Sequence, residues 1–579
     1  MGKSLAVGLL AAVCLGVSVW GAEIQYRLIP RPETRLQGLP VAASPATFVG
    51  SLGAVVPDLS LPQPAAAALP SIPPQSDARP SAIQGLSLEL PDMGKLGADS
   101  ARETSAADFE RRIYFQGTPS GSGALNPVTD QSLQDAYGDV LRLREGVWAG
   151  SVPPGEFYGK VESLFARRFG PNYAGSLRSF LAQKSAEPLK TSGDIGFAGM
   201  SADERKSFFQ AMPKGADIHV HLTATADPET MLRLAEELNV SFPTADVIRR
   251  LRDVHEDSAL YGLDPSRPAL TVREMSPELR KAVQKTIAIN PGEDFSEFLK
   301  KWTLLFPIIN ARGAEYAQLK AYAEKAKAQN ILYLEVMDLA VPAYKQENAV
   351  AAARRVEEET GVTIRFLAHN NWRDATADVV EGMTRADGLR KTGVTVGYNF
   401  VGDEKSFRPL GQYESARFLR DEAPELSLSV HAGEQPGTAD NMVNALLLGA
   451  KRFGHATQVD ENPIAMALLY AGKTPVEVSL ISNRATGVMP DLSKHPLPRM
   501  LSWGVPVMLA TDDPGIFRSS LSDEFETAQR TFGLSWGQLK EMSRNSIRYA
   551  FLDESTKKTL LARLEVQLSE FERSFAGSR

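Results

Sequence analysis

Cysteine is all but missing. The one cysteine among 579 residues, Cys14, lies in an apolar N-terminal stretch. If that stretch is removed, the mature chain has none, which excludes disulfides and thiolate metal ligands. Long basic runs are also absent. The net charge of −7 is spread over a chain in which charged residues make up 23%. That leaves neither a footprint for nucleic acid nor a polybasic membrane anchor, and small or neutral partners fit better. Histidine is scarce, with seven in the whole chain, so the places where it stands carry information.

The N-terminus reads "MGKSLAVGLLAAVCLGVSVWGAE": a basic start at Lys3, an apolar run from Leu5 to Trp20, then small residues. This is the order of a secretory signal peptide, expected to span residues 1–21 and to send the chain to the periplasm or outside the cell. The alternative is an uncleaved anchor, for which the run is at the short end. Residues 22–127, with segments such as "SLPQPAAAALPSIPPQSDARPSA", read as a Pro/Ala-rich linker or loosely ordered extension. Residues 128–200 carry apolar residues at helical spacing, and a small helical unit is expected there. The main domain is expected over residues 201–579.

In that domain short apolar or β-branched runs recur: "ADIHVHL", "ILYLEV", "VTIRFLAH", "VTVGYNFVG", "LSLSVHAGE", "RFGHAT", "PVEVSLIS" and "VPVMLATDD". Between them lie segments of helical period, several ending at a glycine just before the next run. Eight such units predict an α/β fold, a TIM (β/α)8 barrel. A doubly wound open sheet is the runner-up, but no G-x-G-x-x-G turn follows the first run. The first crossover, Pro228 to Asn330, is much longer than the others. It is expected to hold extra helices forming a lid or pocket wall.

Barrel active sites gather at the C-terminal ends of the strands, and here those ends are loaded. His219 and His221 close the first run and His369 the third. His431 and Glu434 follow the fifth, His455 the sixth, Asn483 the seventh, and Asp512 with Asp513 the eighth. A strand repeats with period two, so His219 and His221 share a face. With His431 and Asp512 they form a set of three nitrogens and one oxygen suited to one divalent metal, zinc first, with a position left open for water. The fourth run has no lysine to bridge a second metal. His455 is placed to accept or hold a proton of that water, and Glu434 to act as a general acid if burial keeps it protonated. His369 is expected to be a structural hydrogen-bonder and His255 a surface residue. The zinc deaminases that bind metal through H-x-E and P-C-x-x-C are excluded, since the mature chain lacks the cysteines.

"MPKGADIHVHL", "NFVGDE", "HAGE", "RFGHAT", "SNRATG" and "ATDDPGIF", in this order over roughly residues 205–550, resemble the adenosine deaminases of the metal-dependent amidohydrolase superfamily. "MPKG" behind a signal peptide and an extension resembles the secreted, growth-factor-type branch. The resemblance implies that His219, His221, His431 and Asp512 bind zinc, that Glu434 protonates N1 of the purine, and that His455 orients and deprotonates the attacking water. It further implies that the Gly402 backbone contacts N3 and that Asp513 accepts from N7. Adenosine would become inosine, and 2′-deoxyadenosine its counterpart. Extensions of the secreted branch pair subunits, so a homodimer is compatible with the reading.

Two departures bear on the substrate. Thr223 stands where the family often has an acidic residue or asparagine, and Met337 where many members carry arginine. Neither matches a catalytic position, so the chemistry is expected to survive while the sugar end of the pocket differs. Another aminopurine, or an N6- or 5′-modified adenosine, is the alternative substrate. A barrel that binds a nucleoside or a receptor without turnover is the alternative of another class. The filled catalytic positions argue against it.

Overall fold

The structure, a computed structural model, describes residues 127–186, 195–338 and 343–577. The predicted signal peptide, the extension up to residue 126 and residues 187–194 of the expected helical unit lie outside them. No helix among the described residues is long and apolar enough to cross a membrane.

Each of the eight expected runs supplies one strand: β1 (Gly215–His221), β4 (Ile331–Met337), β5 (Thr363–Asn371), β6 (Thr395–Val401), β7 (Ser427–Ala432), β8 (Arg452–His455), β9 (Val476–Val478) and β10 (Val507–Leu509). They pair in parallel in that order. The sheet returns on itself where the His221 amide donates to the Asp512 carbonyl and the Asp512 amide to that of His219, both at 2.9 Å. The result is the TIM-like barrel. β1 and β4 are buried at every residue, as expected of parallel strands covered on both faces. β4 accordingly reads as a nearly continuous apolar run, ILYLEVM, while β1, GADIHVH, alternates apolar residues with Asp217, His219 and His221.

The barrel interior departs from the usual packing of branched apolar side chains. Arg452, Glu335 and Glu477 are all fully buried there. The Arg452 guanidinium pairs with both carboxylates and lies 3.7 Å from the centre of the Phe551 ring. Buried charges are costly unless fully paired, and each of these is paired. At the base of β1, the fully buried Lys214 of "MPKG" donates to the carbonyls of Met212 at 2.8 Å and Gln329 at 2.9 Å. It ties the entry of β1 to the helix that precedes β4.

The crossover after β1 carries the small antiparallel pair β2 (Ser241–Pro243) and β3 (Ala269–Thr271) among short helices. It docks on the loops that follow the last strands. The Ile289 amide donates to the Ile516 carbonyl at 3.1 Å, and Ile516 and Phe517 belong to its apolar core. The insertion is thus a wall beside Asp512 and Asp513.

Ahead of the barrel stand α1 (Asp130–Trp148), α2 (Phe157–Phe169), α3 (Tyr173–Ala186) and α4 (Ala202–Ala211). The α1 side chains donate inward, Trp148 Nε1 to the Leu447 carbonyl and Gln134 Nε2 to that of Ala471, each at 2.8 Å. Between them these helices cover the segment Pro463–Gly472, "PIAMALLYAG", whose residues from Ile464 to Ala471 are all buried. An outer barrel helix normally keeps one polar face; this one is apolar all round because it is covered on both sides. Leu177, fully buried on α3, lies in the same core as the barrel. Leu177→Ala should therefore cost about 2–5 kcal/mol and lower the melting temperature of the barrel itself by calorimetry. A barrel transition that stays where it was would mean the helices fold apart from it.

Candidate active site

The β1 pleat does what the H-x-H spacing predicts. His219 and His221 face the barrel mouth with ring centroids 5.8 Å apart. His431, near the end of β7, brings its ring to 4.6 Å from His219 and 5.4 Å from His221. Asp512 follows β10 with φ at +63°, a left-handed backbone that costs a non-glycine residue of the order of 1–3 kcal/mol. This turn aims its carboxylate inward, with Oδ1 3.2 Å from His221 Nε2 and 3.6 Å from His219 Nε2. One donor atom from each of the four lies within 4.8 Å of the others, and all four residues are buried.

Three of the four ligands, His219, His431 and Asp512, are held from behind. His219 Nδ1 sits 2.6 Å from Glu477 Oε2, and His431 Nδ1 lies 3.0 Å from both Asn399 Oδ1 and the Phe400 carbonyl. Ser482 Oγ donates to Asp512 Oδ2 at 2.7 Å. Acceptors at Nδ1 leave the Nε2 lone pairs facing one another, the arrangement of metal-binding imidazoles. His219 Nε2 is buried without a hydrogen-bond partner, a state that is expensive unless a cation takes the lone pair. The charges agree. Burial opposes a charged His219, yet Asp512 and Glu477 hold it up to about 10, so two carboxylates stabilise positive charge at this point. Burial would raise Asp512 as well, and the imidazoles of His219 and His221 hold it well below the usual carboxylate range. The donor set fits one divalent cation.

Glu434, in the loop after β7, is buried. Burial, with the charges of Asp512 and Glu404, pushes its pKa well above the ordinary value, so it holds a proton it can give away. His455 ends β8 with φ at +71°, which turns its ring toward the other histidines, 4.9 Å from His219 and 5.0 Å from His431. Its Nδ1 lies 3.1 Å from Asn483 Nδ2 and its Nε2 3.7 Å from Glu434 Oε1. Burial, helped by His219, lowers its pKa to about 3 and keeps the ring neutral. Asp513 is also buried, and burial together with Asp512 pushes it well above the carboxylate range.

Gly402 has φ at +94°, and a Cβ there would fall 2.2 Å from Asn371 Nδ2, so conformation and contact both demand glycine. Met337 is buried beside His221, its register partner, while Thr223 is half-buried in the turn after β1. His255 is exposed, as expected. His369 differs from expectation. Instead of bonding within the scaffold it lies on β5 with its ring 6.1 Å from that of His221, and its buried Nδ1 has no hydrogen-bond partner. It stands beside a histidine of the metal site.

A parallel eight-stranded barrel with three histidines and an aspartate converging at its C-terminal mouth defines a metal-dependent hydrolase of the amidohydrolase kind. The sequence profile described as "Adenosine deaminase" matches residues 273–567, and the chain belongs to that family. It is 31% identical over 284 residues to an adenine deaminase of Rhizobium leguminosarum bv. trifolii, covering 47% of this chain and 86% of that one. It is 27% identical over 418 residues to adenosine deaminase 2-A of Danio rerio, covering 63% and 80%. Among solved structures, Arabidopsis ADAL complexed with IMP aligns with a TM-score of 0.51 at 21% identity, over 63% of this chain and 99% of that one. At that identity the match speaks for the fold alone. The chain is thus a deaminase of the adenine and adenosine family. The profile begins after β1, so it is the barrel that adds His219 and His221 to the matched residues.

Several site residues escaped the sequence reading: Glu477 behind His219, Asn399 behind His431, Ser482 behind Asp512, and Glu404 under the Glu434 loop. A signal existed for one of them. Glu477 stands inside "PVEVSL", and a lone carboxylate in a β-branched barrel strand has to face an inward partner.

Proposed function

We propose that the chain hydrolyses the 6-amino group of adenosine, giving inosine and ammonia. The observation that carries this reading is the juxtaposition of a protonated Glu434 and a neutral His455, 3.7 Å apart, beside the four metal donors. A zinc ion held by His219, His221, His431 and Asp512 would bring the pKa of a water in its open position toward neutrality. Glu434 donates to N1, which makes C6 electrophilic. His455, held from Nδ1 by Asn483, presents Nε2 to the attacking water as orienting group and base. The Gly402 main chain faces N3.

For Asp513 the expected direction reverses. N7 carries a lone pair and no hydrogen, so a contact with it requires the carboxyl to donate, and the upward shift of Asp513 supports that. Adenosine is favoured because the likeness to adenosine deaminase 2-A runs over 418 residues and 80% of that protein. Adenine is the second reading, favoured by the 31% identity to an adenine deaminase. We also propose export, on the order of residues 1–21, with a mature N-terminus at Ala22 by terminal sequencing; an N-terminus still at Met1 would dispose of it.

The test is ultraviolet-monitored turnover of adenosine and of adenine by the purified mature chain as loaded, after chelation and after zinc is returned. Conversion of adenosine to inosine should stop on stripping and come back with zinc. Turnover of adenine alone would move the substrate to the free base. Turnover that survives complete removal of metal would end the proposal.

A further inference from the structure

Glu404 lies three residues beyond β6, in "NFVGDE", and its carboxylate is fully buried. It is surrounded by donors from the loop after β7 and the start of the helix that follows, Ala439–Leu447. The amides of Gly433, Glu434 and Gln435 point at it from 3.0, 2.5 and 3.4 Å, and Asn441 Nδ2 donates to it at 3.0 Å. The Thr438 hydroxyl stands 3.0 Å from Oε1. Three successive amides converging on one anion form a nest, and Gly433, at φ +70°, supplies the left-handed residue it needs. Asn441 also grips the Glu404 carbonyl at 2.9 Å, so carboxylate and main chain are both fixed.

This loop is the one that carries Glu434. From that geometry we infer that Glu404 is a positioning residue, which sets the main chain of residues 433–435 so that the Glu434 carboxyl meets the ring nitrogen of the substrate. The inference rests on the proposed role of Glu434 as the acid. A carboxylate suits this place because the three amides and Asn441 Nδ2 can only donate. A glutamine would turn its own N–H groups against them and leave at least one amide unpaired. Metal binding is not expected to depend on Glu404, since His219 is held by Glu477, His431 by Asn399 and the Phe400 carbonyl, and Asp512 by Ser482, and Glu404 bonds to none of the four ligands.

A double-mutant cycle separates positioning from support of the fold. Glu404→Gln should lower kcat by about 10²-fold, within the range of a displaced general acid, with KM changing much less and bound zinc unchanged. Repeated in a Glu434→Gln background, the same substitution should change the residual rate by less than about twofold, because nothing remains for it to position. Asn441→Ala, which removes one donor and spares the carboxylate, should show a smaller kcat loss with the same non-additivity. It keeps the question answerable if Glu404→Gln does not fold. Equal losses in both backgrounds, or a fall in bound zinc, would reduce Glu404 to a structural residue. Wild-type turnover by Glu434→Gln alone would instead remove the acid and, with it, the positioning role.

Discussion

Glu434→Gln should lose about 10²–10⁴ of kcat, the range contributed by a general acid, while bound metal stays at the wild-type level. The substitution keeps the shape and removes the acidic proton. The proton is there at neutral pH because burial and the negative charges of Asp512 and Glu404 disfavour the carboxylate. The acid works in its protonated form, so activity should fall as pH rises through the raised pKa of Glu434. That alkaline limb should be missing from the residual activity of the variant. Metal analysis, a pH profile and kcat on adenosine decide the matter together. A variant that works at the wild-type rate would take the acid's role away from Glu434 and leave the purine nitrogen without a donor.

How much of this was legible depended on range along the chain. The eight strands could be read because short apolar or β-branched runs recur between segments of helical period, and because strand ends collect the chemistry. His219 with His221 needed only the period of two. Asp512 and His431 needed the order of strands in a barrel. What supports these residues needed more. Glu477 reaches His219 across the barrel interior, 258 positions along the chain, and Glu404 reaches the Glu434 amide over 30. Neither approach is implied by a local pattern, because the first depends on side-chain register across the barrel and the second on the path of two loops, and the sequence displays neither. The covering of Pro463–Gly472 by α1 and α3 was half legible: a barrel helix with no polar face has to be buried on its outer side, though nothing local says by what. The place of His369 beside His221 is hidden for the same reason, since nothing local shows which strand faces which.

The register also yields the second large effect. His431, Gly454 and Glu477 lie side by side in one row across β7, β8 and β9. A side chain at the middle position would point into the barrel between a ligand and the support of another. A Cβ on Gly454 would stand 2.6 Å from His219 Cε1 and 3.1 Å from its Nδ1. A flexible tip could move away, but this ring cannot. Its Nδ1 is bonded to Glu477, which Arg452 and Ser429 hold in turn, and its Nε2 must keep its aim at the metal. The Val430 carbonyl, 3.4 Å from the same Cβ, closes the other side. Gly454→Ala should therefore displace a ligand and weaken zinc binding by about 10–100-fold, the cost usual for damage to the groups behind a metal ligand. Competition with a chromophoric chelator reads the affinity directly, and the melting temperature of the stripped protein shows how far the barrel itself is disturbed. Unchanged affinity would mean that β8 yields before His219 does, and that the glycine of "RFGHAT" serves the strand and not the site.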